Sequence, residues 1–191
     1  FKLYRLIGFL ISSIIIFLII NFNSAAKDRM INYTLDQISE TKLPFLPYSE
    51  HHEQHYIVSF KMFKSNPIFG VGTNSFRFKC DKDIFYYKKN SCTTHSHNFY
   101  IQLLAELGLL GFFFISSFFG YFVYYGIKQL YFLIISKENK LIPFEHFLFL
   151  IINFVFLWPL ITHMSFYNNW NTVFMMLPLG YSLRYLYNNK L

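Results

Sequence analysis

The chain has 191 residues, 54% of them apolar, 23% aromatic and only 14% charged, with 17 Lys and Arg against 10 Asp and Glu. A soluble domain carries about a quarter charged residues, and here the apolar residues fall in long runs, which excludes a soluble globular enzyme and indicates a polytopic membrane protein. The formal charge of +7 divides between membrane-edge anchors and a mildly basic loop, so no nucleic-acid partner is needed to explain it.

In chain order, Phe1 stands at the mouth of an apolar run, and the chain reads as the C-terminal part of a longer protein whose N-terminal half is missing. Residues 1–22 supply the roughly 20 apolar positions a membrane helix needs, with Lys2 and Arg5 at one edge and Ile14, Ile15 and Ile16 inside. A secretory signal has a similar start, but this run exceeds a signal core and Ser24-Ala25-Ala26 is the nearest approach to a cleavage site. Residues 23–97 form a polar loop broken by Pro44, Pro47 and Pro67. Inside it, residues 50–64 suit an amphipathic helix, with Ser49 as cap and an apolar stripe of Tyr56, Phe60 and Phe63. Asn66-Pro67 stops that helix, and Gly70 and Gly72 suit a tight turn against a partner or ligand.

Residues 98–126 form the next span and 127–143 a charged connection. Residues 144–162 span again, 163–171 make a short polar turn, and 172–191 are the last span with its tail. The expected fold is an all-α polytopic membrane protein with four membrane-spanning helices and one large, partly helical loop. Lys2, Arg5, Lys128, Lys137, Lys140, Arg184 and Lys190 fall on one side and none on the 163–171 turn, which makes the first side cytoplasmic and turns the loop outward. The loop's ten Lys and Arg against seven Asp and Glu do not oppose this, because long loops escape the charge rule.

Cys80 and Cys92 both lie in the outward loop, where an oxidising compartment favours a disulfide. A zinc site borrowing the histidines of 94–97 is the alternative, with a spacing that fits no standard finger. His95 and His97 sit in Thr93-Thr94-His95-Ser96-His97-Asn98, at the outer water boundary and the start of a membrane helix, where free N–H groups favour an anion. An imidazole there accepts a proton from a sugar hydroxyl near neutral pH; the alternative is interfacial histidines without a role. Glu106 falls about 12 Å along that helix, where a carboxylate faces a cavity or a partner, and reads as structural or site-supporting. Gly108 and Gly111 would admit a neighbouring helix. The cluster from Glu50 to His55 is no zinc-protease motif, since its glutamate is third of five residues, and reads as a solvated helix face. Arg29 and Arg77 suit a diphosphate, which guanidinium groups bind bidentately.

His97-Asn98, nine residues, Gly108, two residues and Gly111 together resemble the pattern of bacterial O-antigen ligases and the related O-antigen polymerases. Asn66-Pro67-Ile68-Phe69-Gly70-Val71-Gly72, and then Phe76-Arg77, Cys80, Cys92 and Thr94-His95, extend the resemblance over residues 23–115, with Ser96 where one branch commonly has Pro. The resemblance implies an inner-membrane glycosyltransferase with its large loop in the periplasm, working without metal or cofactor. Its donor would be a glycan on undecaprenyl diphosphate, taken from among the membrane lipids, and its acceptor a lipid A-core sugar or the end of another glycan. His97, with His95, would be catalytic; Arg29, Arg77, Asn98 and His52 would contact substrate. His52 occupies a slot, four residues before Tyr56, where many members carry Arg, which leaves the diphosphate to Arg29 or Arg77. The rivals are a flippase-like polysaccharide carrier, which would need charges in several spans where Glu106 alone lies deep in one, and an inactive fragment of the family.

Overall fold

The computed structural model describes residues 2–39, 49–135 and 142–189, and all regular structure among them is helical. Phe1, Pro44, Pro47, Lys137, Lys140 and Lys190 lie outside the described residues. The chain forms two compact units, Phe1–Glu53 and Gln54–Leu191.

In the first unit, α1 (Lys2–Phe22) ends where Asn23 takes an extended conformation and accepts from the Ala26 N–H at 3.0 Å, capping α2 (Ser24–Lys27). A π-helical turn, Asp28–Asn32, carries the chain into α3 (Tyr33–Ser39). The helical segments on the two sides of Asn23 are bent by 101°. Ile14, Ile15 and Ile16 are each more than half exposed, a surface that suits lipid and not water.

The second unit begins inside α4 (Glu50–Ser65). The helix forms as its spacing predicts, and Tyr56 of the expected stripe is buried together with His55, Val58, Ser59 and Met62, while Phe60 stays 45% exposed. Val58 and Met62 pack with Phe76, Cys80, Phe85 and Ala105 in a small core that also covers the following short helix, α5 (Phe76–Lys79). A larger core joins α6 (Phe99–Ile134), α7 (Phe144–Phe156) and α8 (Asn169–Asn189) through residues such as Phe122, Leu150 and Leu179.

Helix α6 is interrupted. Gly108 has φ 66° and ψ −154°, outside the helical region, and the backbone groups freed there bond to the loop from Pro67 to Gly72. Val71 N–H donates to Ala105 O at 3.0 Å, Gly72 N–H to Glu106 O at 3.0 Å, and Leu109 N–H to Pro67 O at 2.9 Å. A break in a helix frees backbone N–H and C=O groups, which when buried must find such partners. The glycines belong to this joint: a Cβ on Gly70 would lie 2.3 Å from Glu106 C, and one on Gly108 2.4 Å from Ile68 O. The partner of the glycine turn is therefore the chain's own helix, and Gly108 admits a loop where a second helix was expected. Gly111 faces α6's own preceding turn, its Cβ position lying 2.5 Å from Leu107 Cβ.

Among the described residues one helix, Phe99–Phe132, is long and apolar enough to cross a membrane, and α1 with the segment after its bend makes a second if the pair is counted as one. Hydropathy alone gave four. Helix α7 has 13 residues and stops at Phe156, not at 162, because Pro159 follows and cannot continue a helix. Helix α8 dilutes its apolar residues with asparagines, Pro178 and Arg184.

Candidate functional site

The joint between loop and α6 places Arg77. Helix α5 is only Phe76–Lys79, and Ser75, at its N-cap, makes no side-chain cap. The cap comes from Glu106, whose Oε1 accepts the Phe76 N–H at 2.7 Å; a carboxylate there is favoured by the helix dipole. Glu106 is fully buried. Its Oε2 accepts from Gln102 Nε2 at 3.3 Å, and the same Nε2 reaches Ser165 Oγ at 3.2 Å, while Gln102 Oε1 accepts the Phe166 N–H at 2.9 Å. One buried Gln–Glu pair thus ties α5 to the connection between α7 and α8. At the other end of α5, Cys80 is joined to Cys92 in a disulfide with Cα atoms 5.2 Å apart, which links Arg77's helix to the strand of chain leading into the histidines. Neither sulfur, being oxidised, offers a thiolate to a metal.

Three imidazoles meet beyond the disulfide. The His97 ring lies 4.1 Å from His95 and 5.4 Å from His55, centroid to centroid. His55 is buried, and its Nδ1–H donates to Ser91 O at 3.0 Å; the solvated helix face expected for this residue is corrected to a buried one, because α4 turns it toward the Ser91–His97 segment. His95 Nδ1 pairs with the Thr94 hydroxyl at 2.9 Å. Burial and the adjacent His97 hold His95 down to about 4, with Arg77 and His55 adding to the effect and the His163 backbone opposing it. Burial lowers His97 as well. Both rings are therefore neutral at pH 7 and able to accept a proton. His97 has φ 59° and Asn74 φ 50°, the two positive-φ non-glycine residues of the described chain, and strained backbone of this kind gathers at functional sites.

The start of α6 is locked to the α7–α8 connection. Asn98 Oδ1 caps α6 by accepting from Tyr100 and Ile101 N–H, and its Nδ2 donates to Pro159 O at 2.7 Å and Ile161 O at 3.3 Å. The Asn98 side chain is thereby committed to the fold. His163 N–H donates to His97 O at 2.8 Å. The His163 ring stacks on Phe99 at 4.2 Å, donates from Nε2 to Phe156 O at 3.0 Å, and is held by burial at about 4, so it is a neutral strut.

These supports frame a cleft of about 460 Å3. From the loop it is lined by Asn74, Arg77, Thr94 and His95; from the α7–α8 connection by Met164, Ser165, Tyr167, Asn168 and Asn169. His97 is not among these lining residues, but its ring lies 4.1 Å from that of His95, which is. Among the described residues no carboxylate lines the cleft. The Tyr167 hydroxyl approaches Glu106 without closing a hydrogen bond, and burial, with the Glu106 charge, pushes its pKa up. The arrangement offers one fixed cation, a neutral base pair of imidazoles and several neutral hydrogen-bonding groups.

The structure brings His95, His97, Arg77 and Glu106 into one region. Arg29 and His52 belong to the first unit: Arg29 is exposed on the π-turn, and His52 Nδ1 pairs with the Ser49 hydroxyl at 2.7 Å. Sequence reading passed over His55 as a neighbour of His97 and over the whole 163–169 wall. The available signal was a run of Ser, Tyr and Asn side chains between two apolar runs, in a chain short of polar residues.

No curated protein and no solved structure matches the chain. The family described as O-antigen ligase matches residues 1–116, which include the glycine joint, Arg77, the disulfide and the three imidazoles. By that match the chain belongs to the O-antigen ligase family, whose members are membrane proteins with glycosyltransferase-like activity.

Proposed function

We propose that the protein transfers a glycan from an undecaprenyl-diphosphate carrier to an acceptor sugar hydroxyl at the periplasmic face of the bacterial inner membrane. The acceptor is a lipid A-core sugar if the protein is a ligase, or the end of a second lipid-linked glycan if it is a polymerase. The topology proposed with it has α1, α6 beyond Gly108, α7 and α8 in the membrane, with Trp158 and Trp170, 38% and 74% exposed beside the α7–α8 connection, as interface anchors.

His97 takes the proton as the acceptor oxygen attacks the anomeric carbon. The bond from that carbon to the phosphate oxygen breaks with its electron pair, and the lipid diphosphate leaves, so the sugar inverts. Arg77 binds the departing diphosphate bidentately, and His95 meets the acceptor hydroxyl beside His97. Arg29 and His52 enter the proposal as further diphosphate contacts on chemical grounds alone. No step calls for a metal or cofactor. The observation that carries the reading is a pair of neutral imidazoles 4.1 Å apart, one of them sharing a carboxylate-free cleft with a guanidinium.

The test is His97→Ala in the whole protein, read as surface polysaccharide in cells. Loss of O-antigen on the lipid core supports the reading, and wild-type assembly overturns it. Deleting the gene separates the two acceptors: single repeats left on the core indicate a polymerase, and a bare core a ligase.

A further inference from the structure

We infer that the connection between α7 and α8 is a subsite for an uncharged sugar ring, formed by Asn168, Asn169, Tyr167 and Ser165 facing the cleft that holds Arg77 and His95. The inference rests on the proposed glycan transfer and names the part of the cleft that selects the substrate.

The cleft's lining divides by chemistry. Among the described residues the loop supplies its one cation and its imidazole, which suit a diphosphate and a proton, besides Asn74 and Thr94. The 164–169 stretch supplies two amides, two hydroxyl groups, an aromatic ring and a thioether, with no charge. A diphosphate gains little from such a surface, whereas a pyranose presents hydroxyl groups to amides and a C–H face to an aromatic ring. The volume of about 460 Å3 falls in the range of small-molecule sites, roughly 300–1,000 Å3.

The stretch is also rigid where it must be and available where it must bind. Its backbone is pinned by Gln102 at Phe166 and by His97 at His163, and Ser165 Oγ is shared with Gln102 and the Tyr167 N–H. Asn168 Oδ1 caps α8 by accepting the Asn171 N–H at 3.2 Å, which leaves its amide N–H groups for a ligand. Asn169 is exposed at the cleft. Moreover, the guanidinium and the imidazole lie, with Asn74 and Thr94, within residues 1–116, the part that matches the family, and the charge-free 164–169 wall lies beyond it. That is the division expected if the diphosphate chemistry is shared by the family and the sugar preference is particular to this chain.

The experiment uses the whole protein in liposomes with undecaprenyl-diphosphate-linked glycan as donor and lipid A-core as acceptor, each varied in turn. Asn169→Ala removes an exposed amide, and Asn168→Ser keeps the helix cap while removing its amide donors; thermal unfolding of both checks the fold. Each variant is expected to raise one substrate's KM about 2- to 10-fold, the worth of one neutral hydrogen bond, with kcat within about twofold of wild type. A rise in acceptor KM assigns the sugar to the acceptor, and a rise in donor KM to the donor glycan; both support the subsite. Unchanged KM for both substrates in folded variants overturns it. If His97→Ala is inactive in the same assay, that failure leaves the transfer reading intact, whereas wild-type transfer by His97→Ala removes the reading itself.

Discussion

Before Gly108, helix α6 presents Asn98, Gln102 and Glu106, each at most 2% exposed and each hydrogen-bonded to a loop. After it, Leu110, Phe113, Phe114, Ile127 and Leu130 are about half exposed or more, with nothing polar among them. The two parts of α6, on either side of its break, therefore work in two surroundings. The first turns are a scaffold, whose buried polar groups hold Arg77 at one end and the α7–α8 connection at the other. The rest is an apolar rod suited to lipid. A buried polar side chain is costly unless it is bonded, so the first part can exist only because the loop supplies its partners, and Gly108 is where the loop is let in.

That contrast breaks most severely at the glycine. Gly108→Val puts a Cβ at 2.4 Å from Ile68 O and forces a branched residue into a left-handed φ. The expected cost is about 3 kcal/mol or more, seen as a protein that fails to accumulate or unfolds at a much lower temperature; wild-type stability would remove the joint from the account.

Next in size is Glu106→Ala, which leaves the Phe76 N–H without its acceptor and the Gln102 amide with Ser165 Oγ alone, and should cost about 1–3 kcal/mol. Its signature is a raised donor KM, because Arg77 loses its anchor. Glu106→Gln keeps an acceptor oxygen and should recover most of the loss. Equal damage from both substitutions would assign Glu106 a role that needs its charge. Smallest is Leu110→Ala on the apolar rod, expected within about 0.5 kcal/mol of wild type in the same unfolding measurement. A large loss there would mean that this face is packed and not lipid-facing.

Much of this was legible in the chain because the signals are local. The helix from Glu50 follows from residue type and spacing, as does a disulfide between Cys80 and Cys92 from their shared loop, whereas Asn98, expected to contact substrate, caps α6 instead. What was not legible depends on distant partners. The break in α6 requires Pro67–Gly72, far earlier in the chain, and an apolar run gives no sign of it beyond two glycines that read equally well as a helix contact. Of the expected stripe Tyr56 is buried but Phe60 is 45% exposed, while Val58 and Met62 meet Phe76 and Cys80; how far round α4 the burial extends was settled by those distant partners, not by α4 itself. The 163–171 stretch carries no charged residue, so reading for ionisable chemistry left it a plain turn.

The central claim is that His97 is the base, and the most direct measurement is the rate of glycan transfer against pH for the whole protein in liposomes, wild type beside His97→Ala. A base is lost as pH falls through its pKa, and burial lowers that of His97. Wild-type transfer should therefore persist below the ordinary histidine value of about 6.5 before it declines in acid. His97→Ala should be about 100- to 10,000-fold slower at neutral pH and lack that acid decline. Transfer by His97→Ala at the wild-type rate would contradict the account.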